Sequence, residues 1–154
     1  MLFRSPMVRR IVREAAAAAG RDPEQVTISA MLTCSVADDR EEARDAMRRY
    51  IAVPQRARMP RYARVRAEQG FGDDWAAIVD GIATGDPDRA AAAVSDRYLD
   101  AFYVTGTPAE CRQRLRAFSD AGLDLPILGH ARGGAHAWKV LEELSPAAMA
   151  ADSR

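Results

Sequence analysis

The segment Gly129-His130-Ala131-Arg132-Gly133-Gly134 gathers the residue types best suited to holding an anion. It follows an apolar run that reads as a strand and precedes a helical pattern. In that position glycine amides and a helix N-terminus can cradle a phosphate. Arg132 adds a bidentate charged contact. His130 adds a hydrogen bond, or a group that titrates near neutrality. The segment is neither a GxGxxG nor a Walker loop, so a plain strand-to-helix loop stands beside the phosphate reading. Ser35, at the end of another apolar run, also points to a sheet end; its alternative role is to start the turn into a helix cap. Tyr62 and Trp75 either line an apolar pocket or pack in a core. His136 reads as a surface or helix-packing histidine.

Other chemistries find little support. No serine, histidine and acid fall into a hydrolytic arrangement. The carboxylate pairs Asp38-Asp39, Glu41-Glu42, Asp73-Asp74 and Glu142-Glu143 sit at helix starts or on solvated faces, where capping and the helix dipole explain them. Cys34 and Cys111 lie outside any CxxC pair and have no histidines at metal spacing. They read as structural thiols of a reduced, cytoplasmic protein. Lys+Arg and Asp+Glu are both 22, so the formal net charge is zero. That balance argues against a nucleic-acid footprint and favours self-association. Arg4, Arg9, Arg10 and Arg13 interrupt the N-terminal apolar residues, which excludes a signal-peptide core. No stretch approaches the roughly 18 to 20 apolar residues of a membrane span.

The elements that position these residues follow from periodicity. Residues 6 to 19 show a helical stripe of Met7, Val8, Ile11, Val12, Ala15 and Ala16. Val26 to Cys34 alternates as a strand. Asp38 is placed to cap a second helix, with Glu41 at the box position, running to about Ala52. Its Glu41–Arg44, Asp45–Arg48 and Asp45–Arg49 spacings describe a solvated face. Residues 53 to 94 read as a helical excursion broken at Pro54, Pro60 and Pro87. Asp73 or Asp74 caps its helix through Trp75, Ile78 and Ile82. Ser95 to Phe102 is a short helix anchored by Leu99 and Phe102. The last helix, Ala135 to Leu144, is expected to turn Trp138, Leu141 and Leu144 inward.

Val104 to Leu128 is the most informative stretch. Thr107 can N-cap, Pro108 suits the first helical position, and Glu110 closes a capping box. Leu115 and Phe118 follow at helical spacing, and Gly122 ends the helix. Leu123, Leu125, Ile127 and Leu128 then make the apolar run that a parallel sheet buries. This is an αβ half-unit of a barrel or a doubly wound sheet.

Gly106, Thr107, Pro108, Glu110, Arg114, Leu115, Phe118, Ala121, Gly122 and Asp124 match ten positions of a family signature within nineteen residues. On them the stretch resembles the last αβ unit of the bacterial luciferase-like monooxygenases. The upstream run GRDPEQVTISAMLTCSVADDREEARDAMRRYIA is similar to the family's preceding helix end, strand and helix, so the resemblance covers roughly residues 8 to 144.

The resemblance implies an α/β protein: the C-terminal part of a luciferase-like (β/α)8 barrel, mostly helical, with about two parallel strands adjacent in the sheet. Such barrels need about 250 residues, so residues 1 to 154 read as a single partial domain. It further implies an oxidoreductase or monooxygenase using FMN or a deazaflavin coenzyme. The loop of Gly129, His130, Arg132, Gly133 and Gly134 is then the cofactor-side candidate, and no catalytic residue carries over. Residues 53 to 94 lie between the two strands and shape the substrate side. Two alternatives stand beside this reading. One is a non-catalytic remnant or partner subunit that self-associates as a homo-oligomer, or completes a barrel with a second chain supplying the missing strands. The other is a small helical binding domain with one βαβ-like pair, which a gap of about 90 residues between the strands disfavours.

Overall fold

The computed structural model describes residues 5–53, 60–131 and 135–151. Ser29–Val36 (β1), Val104–Gly106 (β2) and Leu125–His130 (β3) form an all-parallel sheet with β1 in the middle. The expected two strands are therefore three. Val104–Gly106 reads in the sequence as a lead-in to the capped helix, because three residues are too few to show a period of two. The first strand also begins later and ends later than Val26 to Cys34. A 3₁₀ turn, Pro23–Gln25, capped by the Asp22 side chain, precedes it. Pairing of Cys34, Ser35 and Val36 with Val104, Thr105 and Gly106 carries it past the apolar run.

Helices flank the sheet in this order: Ser5–Ala18 (α1), Arg40–Ile51 (α2), Pro60–Glu68 (α3), Gly72–Ala83 (α4), Pro87–Ala92 (α5), Asp96–Phe102 (α6), Pro108–Asp120 (α7), Ala135–Leu144 (α8) and Pro146–Ala151 (α9). Alternation along β1 gives the sheet two unlike faces. Leu32, Cys34 and Val36 point to one side. There they pack with Val104, with Cys111, Leu115 and Phe118 of α7, and with Val140 and Leu144 of α8. Val8 and Val12 of α1 close this core, whereas Met7 and Ile11, from the same stripe, stay exposed.

The other face is uncovered around the β1–β3 ladder. Met31 is 75% exposed, Leu125 52% and Ile127 46%. The expectation that the whole run from Leu123 to Leu128 is buried therefore holds only for Leu123 and, in part, Leu128. On α8 the expected inward set is corrected in the same way: Leu144 is buried, while Trp138 and Leu141 face outward. The helix packs the Val140–Leu144 side, and its apolar residues extend beyond that side.

A second core fills residues 60 to 103. Phe71, Trp75, Ile78, Val94, Tyr98 and Leu99 pack against Met47 and Ile51 of α2. Trp75 is thus a core residue. Phe102 lies with its ring centroid 4.9 Å from those of both Phe71 and Tyr98. Arg44 ties α2 to α6, reaching Asp96 at 3.1 Å and Asp100 at 3.0 Å, with its side chain only 3% exposed. The solvated face expected around Arg44 is corrected here: burial of the guanidinium is offset by two carboxylates from another helix. The helix caps shift as well. Asp39, not Asp38, caps α2 by accepting from the Glu42 N–H, and Asp38 instead meets Lys139. The helix α4 starts without a side-chain cap, and Asp74 accepts from the Ser95 hydroxyl at 2.6 Å.

The unit read from Thr107 onward forms as its residues dictate. The Thr107 side chain accepts from the Glu110 N–H, and the Glu110 carboxylate accepts from the Thr107 N–H at 2.9 Å. That backbone donor holds the Glu110 carboxyl below its usual range, against the opposing effect of burial, with help from the Thr107 hydroxyl and Arg40. Gly122 has φ +96°, a conformation that strains any other residue, and an added Cβ would also displace the Arg9 side chain, whose Cδ would lie 2.8 Å away. Asp124 then clasps the start of β1: its carboxylate accepts from the Ile28 N–H at 2.9 Å.

Candidate functional site

In a parallel sheet, register decides which candidate residues meet. Gly129 stands opposite Thr33, on the uncovered face, and Ser35 stands opposite Thr105. His130 stands opposite Cys34 and so belongs to the helix-covered side, although it is exposed at the strand end. The phosphate-loop expectation is corrected to this extent: Gly129 and His130 are the last two residues of β3, because pairing with Thr33 and Cys34 extends the strand past Leu128. Arg132, Gly133 and Gly134 lie outside the described residues, as does the side chain of His136.

Ser35 is 4% exposed and sits within β1, so it neither lines an open mouth nor starts a turn. Its neighbour Thr105 has a buried hydroxyl without a hydrogen-bond partner. Cys34 and Cys111 are free and buried. Burial, reinforced by their mutual proximity, pushes the Cys34 thiol up to about 12. Burial first, and Glu110 second, pushes Cys111 to about 12, against Arg112. Thiols held protonated in this way are inert packing groups.

An apolar-walled cleft of about 490 Å³ lies on the β2 side of β1. Met31 and Thr33 form its floor, and Tyr62, Val65, Arg66 and Phe102 form its walls. The Arg66 guanidinium stacks 3.5 Å from the Phe102 ring centre and donates to the Tyr98 hydroxyl at 2.9 Å. The sequence left Tyr62 between an apolar pocket and a core, and it gave no sign of Arg66 or Phe102 as cleft residues. The signal was the aromatic spacing of Tyr98, Phe102 and Tyr103, which marks a helix end rather than its partner helix.

A Cβ on Gly129 would meet its nearest neighbour, the Leu32 carbonyl, at 3.8 Å, an ordinary contact, so no close backbone approach requires glycine there. Beyond Thr33, Ser35 and Thr105, the uncovered face offers Met31, Leu125 and Ile127. Among the described residues no group of three or more histidine, cysteine, aspartate or glutamate side chains could hold a metal ion. No described helix is long and apolar enough to cross a membrane.

Parallel strands linked through helices, with one sheet face packed and the other open, define an α/β protein of the barrel type. The sequence matches the luciferase-like monooxygenase model over residues 5–125, and the chain belongs to that family. The matched stretch holds the Thr107–Glu110 box, Gly122 and Asp124 and ends before Gly129. Among solved structures, the fold is similar to the coenzyme F420 dependent tetrahydromethanopterin reductase from Methanopyrus kandleri. The TM-score is 0.71 at 18% identity, over 92% of this chain and 40% of that chain. The chain thus spans less than half the length of that reductase. A comparison with curated proteins finds no match.

Proposed function

We propose that the chain is the C-terminal part of a luciferase-like oxidoreductase barrel, a single partial domain that works with FMN or a deazaflavin coenzyme in the cytoplasm. The observation that carries this reading is the uncovered face of an all-parallel sheet in a chain of this family. All-parallel sheets are otherwise covered on both faces, and barrel enzymes place their chemistry at the C-terminal strand ends. Gly129 and His130 close β3 at such an end, and with Arg132, Gly133 and Gly134 they make the cofactor-side segment, with Arg132 supplying charge to the phosphate. A bound flavin supplies hydride or oxygen chemistry, including monooxygenation, while the protein supplies position and electrostatics. The excursion from 53 to 94 shapes the substrate side.

A second reading is a non-catalytic remnant or partner subunit, acting as a homo-oligomer or beside another chain. The exposed apolar Met31, Leu125 and Ile127 favour it, because a second chain would cover them. Fluorescence titration of the chain with FMN and with the deazaflavin coenzyme separates the two. Saturable binding at one per chain, weakened by Arg132→Ala, supports the enzyme reading. No binding of either coenzyme leaves the partner-subunit reading.

A further inference from the structure

Three arginines converge beside β2. Arg40 and Arg44 come from the N-terminal half of α2 and Arg114 from the middle of α7. With Thr105, Asp100 and Glu110 they line a hollow of about 160 Å³. Arg44 is fully committed. It donates through Nε to the Asp96 carboxylate, through Nη1 to Asp100, and through Nη2 to the Asp96 backbone carbonyl. Arg40 and Arg114 are not. Arg40 spends Nη1 on Glu110 at 2.8 Å. Arg114 spends Nη2 on the Asp100 backbone carbonyl, and its guanidinium carbon lies 5.0 Å from the Phe118 ring centre. Among the described residues Arg114 has no carboxylate in an ion pair. Burial lowers its pKa, and the charge of Asp100 restores only part of the loss. A guanidinium carries several N–H donors in a fixed fork, so Arg40 and Arg114 keep spare ones.

The charges of the hollow do not cancel. Three guanidinium groups face two carboxylates, Asp100 and Glu110. Asp96 meets Arg44 as well, but it is shared with Arg48. Glu110 is further occupied by the Thr107 N–H and hydroxyl. Thr105 contributes a buried hydroxyl that has no hydrogen-bond partner, a group that is costly to leave unpaired. We infer that this hollow binds a phosphate group, with Arg114 and Arg40 as its charged donors and Thr105 as its neutral one. Donors on two helices and a strand suit a tetrahedral oxyanion, whereas a planar carboxylate is satisfied by one guanidinium fork. The volume admits the phosphate itself. Pockets for whole organic ligands run from about 300 Å³ upward, so any organic remainder lies outside. The site is built from α2, α6, β2 and α7 and does not depend on which coenzyme the protein uses.

Isothermal titration of the whole chain with inorganic phosphate, at constant ionic strength in chloride, tests the site. Saturable binding at one per chain is expected. Arg114→Gln should weaken it at least about tenfold, and Thr105→Val about fivefold. The valine variant keeps the test decisive should Arg114→Gln fail to fold. It removes only a hydroxyl without a partner in the free protein, so its melting temperature without phosphate should not fall. Glycerol phosphate identifies the source: tighter binding than inorganic phosphate assigns the group to an ester, and weaker binding assigns it to the free ion. Absence of saturable heat overturns the inference. So does equal affinity of the wild type and Thr105→Val, or acetate binding as tightly as phosphate, which would reduce the hollow to an unselective patch of positive charge.

Discussion

Asp124→Ala tests whether the family's signature residues act by packing. The Ile28 N–H donates to Oδ2 of Asp124 at 2.9 Å, and the Ile28 carbonyl accepts from the N–H groups of Asp124 and Leu125 at 3.0 and 3.1 Å. Ile28 itself is only 6% exposed. Removing the carboxylate strands a buried donor that had a charged partner, at a cost of about 2 kcal/mol. For a chain of this size that lowers the melting temperature by about 4 to 8 °C. Asp124→Asn keeps a carbonyl acceptor at the same reach and loses less than half as much. Thermal unfolding followed at 222 nm for both variants reads the difference. If alanine melts within about 1 °C of the wild type, or asparagine costs as much as alanine, the clasp is not what Asp124 supplies.

Cys34 and Cys111 should resist iodoacetamide at pH 8 in the native protein and should both react in guanidinium; native alkylation of either contradicts their burial. Their thiols are raised from 9.0 to about 12, so the neutral form is favoured by folding. The stability this contributes is complete below pH 9 and falls as pH rises from 9 toward 12. The melting temperature should therefore decline in that window, and the Cys34→Ala/Cys111→Ala variant should decline less steeply; equal slopes would refute the linkage.

The capped unit was legible because its signals are local. Thr107, Pro108 and Glu110 act on one another within a single turn, and Gly122 acts through its own backbone. What was not legible depends on partners distant in sequence. Three residues at Val104–Gly106 become a strand only because Cys34–Val36 lies beside them. Arg44 has the spacing of a surface helix pair, yet Asp96 and Asp100, on α6, bury and neutralise it. Met31, Leu125 and Ile127 are of the same residue types as the core, and composition cannot distinguish an apolar face that is packed from one left open. The cleft draws Tyr62 and Arg66 from one helix and Phe102 from another, so no single stretch announces it. Of the candidate loop, Gly129 and His130 went to the strand because the neighbouring ladder outweighs the weak strand preference of glycine.

The barrel reading rests on a parallel sheet in which β1 pairs with β3 from Ser29 to Cys34 and with β2 only from Cys34 to Val36. Amide hydrogen exchange along β1 measures this directly. The N–H groups of Ala30 and Leu32, which face β3, should be protected, while that of Met31, which faces the cleft, should exchange much faster. Equal protection of Ala30, Met31 and Leu32 would mean that the edge is already filled, and would contradict the account.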